Sequence, residues 1–211
     1  MRALLVDDHV MFTQSLRFLL EDLDPTLECL TARSIADAVA MDGPFDLVLL
    51  DYALPDSQGH QGLTRVLAAH EGATVVILSG DTRPGLVHEL VDLGAAGFVS
   101  KAADTDTLLH ALRILLQGGV VLPPEALAAQ AVAAPAAMPD ALHALSPRQR
   151  DCLMKLIQGK TNKAIARELD LADSTVKTHI SAAFKAMGVS NRAEAVFRAA
   201  SLGLVPSSGT R

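Results

Sequence analysis

The sequence predicts two unlike folding units in one chain, a five-stranded parallel α/β sheet and an all-α domain of four helices, joined by a linker. Three observations predict this. Short, uniformly apolar runs alternate five times with stretches of helical period through the first half, the pattern of buried parallel strands with helices on both faces. Pro123, Pro124, Pro135 and Pro139 then crowd an Ala-rich stretch. The charge also changes sign: residues 1–119 carry 7 Lys/Arg against 17 Asp/Glu, a net −10, whereas residues 145–211 carry 11 against 5, a net +6.

Strands are expected at 2–6, 27–31, 46–50, 74–78 and 97–99, with helices near 10–21, 34–41, 58–69, 83–92 and 104–116 between them. Gly94 and Gly97 read as helix stop and turn into the last strand. The prolines of residues 119–144 break any long helix, leaving about two turns from Glu125 to Val132 in what reads as a hinged linker. Beyond it, helices are expected near 147–158, 161–169, 174–187 and 191–202. Apolar stripes mark their inner faces: Leu153, Leu156 and Ile157; Ile165 and Leu169; Val176, Ile180, Phe184 and Met187. Gly159 ends the first of these helices, Thr161 can cap the second and Gly188 closes the third.

Composition narrows the function classes. The chain's 211 residues, half apolar and a fifth charged, suffice for two modest cores. Cys29 and Cys152 stand far apart, which suggests neither a disulfide framework nor a zinc site. A short apolar start ending at Asp7 and no run of eighteen apolar residues lead us to expect a cytoplasmic protein. An aromatic content of 3% disfavours stacking on unpaired bases, while a basic half joined to an acidic one points to duplex DNA.

Polar groups fall where the strands should stop. Asp7 and Asp8 follow the first run, Asp51 the third, Ser79 the fourth and Lys101 the fifth. Ligands of open α/β sheets bind at the carboxyl ends of strands, where strand order reverses. Two carboxylates about 4 Å apart repel by roughly 4 kcal/mol at an effective dielectric near 20, so three of them call for a cation. Hard oxygen ligands with open positions favour Mg2+, which accepts phosphate oxygens readily. Lys101 can neutralise one phosphoryl oxygen and the Ser79 hydroxyl can donate to another, so the set suits a carboxylate nucleophile with an electrophilic clamp. His9 reads as a surface histidine rather than a ligand.

LLVDDH at 4–9, LLDYALPDSQG at 49–59, VILSG at 76–80 and GFVSK at 97–101 resemble the receiver domain of two-component response regulators, over about residues 2–118. The resemblance implies a flavodoxin-like (βα)5 fold and a phosphoryl group received from a sensor histidine kinase. Asp51 then corresponds to the phosphoacceptor, Asp7 and Asp8 to the metal acids, Ala53 to the residue lending a backbone carbonyl to Mg2+, Ser79 to the switch hydroxyl and Lys101 to the family lysine. Phe98 falls at the switch aromatic, without the hydroxyl of a tyrosine. Ala102 stands where many receivers place a cis-proline. Ala53 has no side-chain amide to position an attacking water, so a long-lived phosphoryl group is expected.

In the basic half, a short helix, a tight four-residue turn and a second helix over about 162–181 form a helix-turn-helix pattern. Lys177, Thr178 and Ser181 project from one side near the start of its second helix, where base edges would be reached. Ser174 shares that polar face, Thr175, Lys160, Lys163 and Lys185 suit phosphates, and His179 fits either role. Spacing alone leaves a solvated face equally open. LSPRQRDCL at 145–153, GKTNKAIARELDLADSTVKTHI at 159–180 and NRAEAV at 191–196 resemble the LuxR-type DNA-binding domain, so the whole chain is similar to regulators of the NarL/FixJ class. Gln149, Ala164 and Ala172 depart from the family's capping residues, and Asp173 is expected to cap in place of Ala172.

The resulting expectation is a receiver at 1–118, a linker at 119–144 and a DNA-binding domain at 145–211. It would be a transcription regulator rather than an enzyme, act as a homodimer on promoter DNA, and have RNA polymerase as a further partner. The alternatives are a pseudo-receiver controlled by partner or ligand binding, and a Mg2+-dependent phosphohydrolase, for which no general acid or substrate pocket is evident.

Overall fold

The computed structural model describes residues 1–57, 60–133 and 145–201. Five parallel strands, β1 (Arg2–Val6), β2 (Glu28–Ala32), β3 (Leu47–Asp51), β4 (Thr74–Ser79) and β5 (Gly97–Ser100), form one sheet in the order β2-β1-β3-β4-β5. Helices α1 (Val10–Leu23), α2 (Ile35–Ala40), α3 (His60–Ala69), α4 (Pro84–Asp92) and α5 (Thr105–Leu116) connect and follow them. Elements run within a residue or two of those expected, and residues 58–59, expected to open α3, lie outside the described residues.

Side chains alternate across the sheet as a strand period of two requires. Leu4, Val6, Val48, Leu50, Val75 and Ile77 face the α2–α3–α4 side, where Ile35, Val66, Val87 and Leu90 are fully buried against them. Leu5, Leu47, Leu49, Val76 and Leu78 face α1 and α5, against Leu16, Leu20 and Leu112. Each such side chain contributes about 1.5–3 kcal/mol by leaving water. This two-sided burial explains why the interiors of β1, β3, β4 and β5 are apolar, with polar residues confined to the strand ends. Gly94 follows α4 at φ +111°, a left-handed turn that returns the chain to β5.

The stretch after α5 is packed rather than free. Val121 accepts a 2.7 Å hydrogen bond from the Phe98 N–H, so the chain runs along the open edge of β5. Helix α6 (Pro124–Ala133), slightly longer than the two turns expected, follows and buries Ala126 in the core on the α4 side. The rest of the expected linker, 134–144, lies outside the described residues.

Four further helices, α7 (Pro147–Ile157), α8 (Asn162–Leu169), α9 (Asp173–Met187) and α10 (Arg192–Ser201), enclose a second core. Cys152, Leu153, Ile165, Val176, Ile180 and Met187 fill it. Phe184, expected in the same stripe, is only partly buried at its edge. The face of α10 not used in this core meets the first unit, where the Phe197 ring stacks on His88 of α4 with centroids 5.1 Å apart. Both cysteines are free, and burial pushes the Cys29 thiol up to about 11, away from reactivity. Among the described residues, no helix is long and apolar enough to cross a membrane.

Candidate functional site

The sheet order decides where the site forms. β1 is followed by β2 on one side and paired with β3 on the other, so the direction of winding reverses between β1 and β3. Asp7 and Asp8 leave the carboxyl end of β1 and Asp51 ends β3, in adjacent strands whose Val6 and Leu50 are in register. Asp7 and Asp51 are each only 2% exposed. β4 and β5 bring Ser79 and Lys101 to the same edge, and the Lys101 N–H donates to the Ser79 carbonyl at 2.9 Å.

Lys101 Nζ lies 2.7 Å from both Asp7 Oδ2 and Asp51 Oδ2. Asp51 Oδ1 accepts from the Ala53 N–H at 3.1 Å, which curls the following loop back over the carboxylate. The Ser79 Oγ accepts from the Asp81 N–H at 3.0 Å, leaving its proton free to be given elsewhere. Phe98 is 1% exposed and points into the core. The peptide at Ala102 is trans, in keeping with the loss of a proline there.

His9 lies at the surface as expected, and it also stands close to the acids. Its ring is largely exposed, but Nδ1 lies 3.1 Å from Asp7 Oδ1 and 2.9 Å from Asp8 Oδ1. A ring three residues beyond a strand end can turn back onto the preceding acids, which the strand period alone does not indicate. Asp7, Asp8, His9 and Asp51 present ligand atoms within 4.8 Å of one another. Asp7 Oδ2, Asp8 Oδ1 and Asp51 Oδ2 are buried without a hydrogen bond, compensated only by the point charge of Lys101 and the His9 ring. A cluster of hard oxygens with unmet lone pairs fits Mg2+.

The second site is the outer surface of α8 and α9. The turn between them has three residues, not the expected four, because Asp173 is already helical. Asp170 takes the left-handed conformation at φ 53°, tolerable for an aspartate, and the Leu171 N–H closes back on Ala166 O at 2.9 Å. Asp173 does not cap α9: Ala172 occupies the cap position without a side-chain bond, and Asp173 instead sits 3.4 Å from Lys177, one turn on. Thr161 caps α8 alone, and Ser146 forms a complete capping box with Gln149, whose amide replaces a carboxylate without loss of the bond.

Ser174, Lys177, Thr178, Ser181 and Lys185 are exposed on α9 and Lys163 on α8, while Thr175 and His179 are half-buried. Lys160 differs from expectation, because Glu168 binds it together with Lys155. Residues 13 apart on different helices give no local signal of such a triad. The two ammonium groups hold the Glu168 carboxyl at about 2 against an ordinary 4.5. The stabilisation this gives is present in full above 4.5 and is lost as pH falls toward 2. A carbon-detected NMR titration should therefore give Glu168 a midpoint near 2, and a midpoint near 4.5 would show the triad absent in solution.

Comparison with known proteins places the two units in known families. Residues 3–113 match the model of the response regulator receiver domain, and residues 143–199 that of the bacterial regulatory proteins of the luxR family. The glycerol metabolism activator of Pseudomonas putida is 30% identical over 208 residues, 94% of each chain. The nitrate/nitrite response regulator protein NarL of Escherichia coli K12 is 31% identical over 91% of each. Among solved structures, a LuxR family DNA-binding response regulator from Silicibacter pomeroyi superposes with a TM-score of 0.52 at 31% identity, covering 59% of this chain and 98% of its own.

Proposed function

This chain belongs to the NarL/FixJ class of DNA-binding response regulators, and from that premise we propose that a sensor histidine kinase switches it by phosphorylating Asp51. The observation that carries the proposal is the convergence of Asp7, Asp8 and Asp51 on one edge with Lys101 Nζ 2.7 Å from two of them. The receiver would occupy 1–118, the linker 119–144 and the DNA-binding domain 145–211. The protein would work in the cytoplasm and contact RNA polymerase from promoter DNA.

Asp51 supplies the nucleophile. A carboxylate oxygen attacks phosphorus in the phosphoimidazole of the donor; the O–P bond forms as the N–P bond breaks, and the imidazole departs with that electron pair. Mg2+, held by Asp7, Asp8, Asp51 and the Ala53 carbonyl, would offset the acids' charge and that of the incoming phosphoryl group when bound. Lys101 is placed to transfer its contact from the Asp51 carboxylate to a phosphoryl oxygen. Ser79, whose Oγ already accepts from Asp81, has its hydroxyl proton to donate to another. Ala53 presents no side-chain amide to an attacking water, which favours a long-lived adduct.

Pulling Ser79 toward the phosphoryl group shifts the loop that enters α4, and α4 carries His88, on which Phe197 of α10 is stacked. Phe98, buried in the core beside α4, would repack as this happens. Moving such an equilibrium from 1:99 to 99:1 takes about 5.5 kcal/mol, which a new dianion in a buried site can supply. Release of α10 would free the basic domain to pair with a second copy on adjacent half-sites. There Lys177, Thr178 and Ser181 would read bases, with Ser174 and His179 beside them. Lys163, Lys185 and Thr175 would bind phosphates, and Lys160 would do so only on leaving Glu168.

The test is acetyl phosphate with Mg2+ on the full chain, followed by size exclusion and promoter-fragment binding. Expected are elution as a dimer and duplex affinity raised by about tenfold or more, an effect weakened by salt. A stoichiometric adduct that changed neither quantity would favour control by partner binding instead.

A further inference from the structure

Asp56, five residues beyond Asp51, has no assigned part in the site, yet both of its carboxylate oxygens are engaged. Oδ1 accepts from the Ile35 N–H and Oδ2 from the Ala36 N–H, each at 3.0 Å. Ser34 accepts from the Asp37 N–H at 3.0 Å, so the first three amides of α2 are satisfied, two of them by a side chain from another loop.

The mechanical sense of this contact is set by burial. α2 is fixed to the sheet by Ile35 and Ala38, both 0% exposed, whereas Ala53, Pro55 and Asp56 lie in the open. The loop after β3 is otherwise held by the Tyr52 N–H on Leu78 O, by the Asp51–Ala53 bond, by the buried Leu54 side chain and by the Ser57 N–H on Leu54 O. Among the described residues these anchor its start or close it on itself, while the outer half is held by the Asp56 pair on α2 and by Ser57 against Gly62 of α3. Burial raises the Asp56 pKa, but the Ile35 and Ala36 amides outweigh it and leave the carboxyl below its ordinary value, so the latch stays ionised at neutral pH.

We propose that Asp56 is a positioning residue for the metal and phosphoryl site: by latching the loop after β3 onto the N-terminus of α2, it holds the Ala53 backbone where its carbonyl can serve the cation beside Asp7, Asp8 and Asp51. This rests on the receiver reading above. Outer partners that orient a ligand commonly cost about 10–100-fold in metal affinity when lost, and a latch acting through a short loop should fall near the lower end.

The full chain is titrated with MgCl2 by calorimetry and by the fluorescence of Tyr52, the one tyrosine in a sequence without tryptophan. Asp56→Ala should weaken Mg2+ binding about tenfold and slow labelling by acetyl phosphate in step. Ser34→Ala, which removes a cap of the same helix without touching the loop, should stay within about twofold of wild type. Asp56→Asn keeps one acceptor and should fall between. Wild-type affinity in Asp56→Ala overturns the inference, as does an equal loss in Ser34→Ala, which would make α2 stability the cause. Should Asp56→Ala fail to fold, wild-type affinity in Asp56→Asn overturns it as well. Absence of Mg2+ binding by the wild type would instead bring down the receiver reading, and this inference with it.

Discussion

Asp51→Asn should abolish the single phosphoryl adduct that the wild type acquires from acetyl phosphate and Mg2+, read by intact mass, and should at the same time make the folded protein more stable. The first effect is chemical, because an amide lacks the charged oxygen that attacks phosphorus. Asp7 and Asp8 cannot take over, since they follow β1 rather than β3 and lack the bond to Ala53 that orients Asp51. The second effect is electrostatic. Asp7, Asp8 and Asp51 gather at one edge with a single lysine between two of them, and neutralising one acid removes like-charge repulsion while Lys101 keeps Asp7. A gain of about 1–2 kcal/mol in urea unfolding without Mg2+ is expected, a fraction of the bare Coulomb energy because solvent still reaches Asp8. Equal labelling of variant and wild type would remove Asp51 from the site.

Arg192→Ala should unfold the DNA-binding unit while leaving Asp51 chemistry intact. The Arg192 guanidinium is largely buried, and its Nη2 donates to Leu156 O at 3.2 Å and Lys160 O at 2.6 Å, tying the end of α7 and the turn into α8 to α10. Burial pulls its pKa down to about 10, so it remains charged at neutral pH. Truncation strands the Lys160 carbonyl, leaves Leu156 O with its bond from the Gly159 N–H, and opens a cavity, at a cost of about 3 kcal/mol, much of what a unit of this size has to spare. Calorimetry should show the lower transition falling by more than 10 °C, roughly what that loss implies for a small domain, with duplex binding lost and acetyl phosphate labelling retained. Arg192→Lys should recover little, since one ammonium cannot reproduce the guanidinium fork. An unchanged melting profile would mean that the two bonds do not hold the unit together.

The strands were legible because burial on both faces of a parallel sheet demands runs such as Val75 to Leu78, and such runs leave polar residues only at their ends. Helix α9 was legible because Val176, Ile180 and Met187 recur at helical spacing and Gly188 stops them. The cap of α9 was not: Asp173 has the right chemistry, but whether it precedes the helix or begins it depends on where the Asp170 turn ends. The Glu168 triad and the inward turn of His9 were hidden for a related reason, as each depends on a neighbour supplied by another element or by the local path of the chain.

Local patterns in the sequence therefore determined which segments are strands and helices, that the chain has an acidic half and a basic half, and which residues end the strands. Only the tertiary structure decided that Asp7 and Asp51 are neighbours with Lys101 between them, that Lys160 is held by Glu168, and that Asp56 reaches α2. Periodicity records how each element meets solvent and core, whereas contacts between different elements follow from the strand order β2-β1-β3-β4-β5, from the packing of helices upon that sheet and from the packing of the second unit's helices on one another.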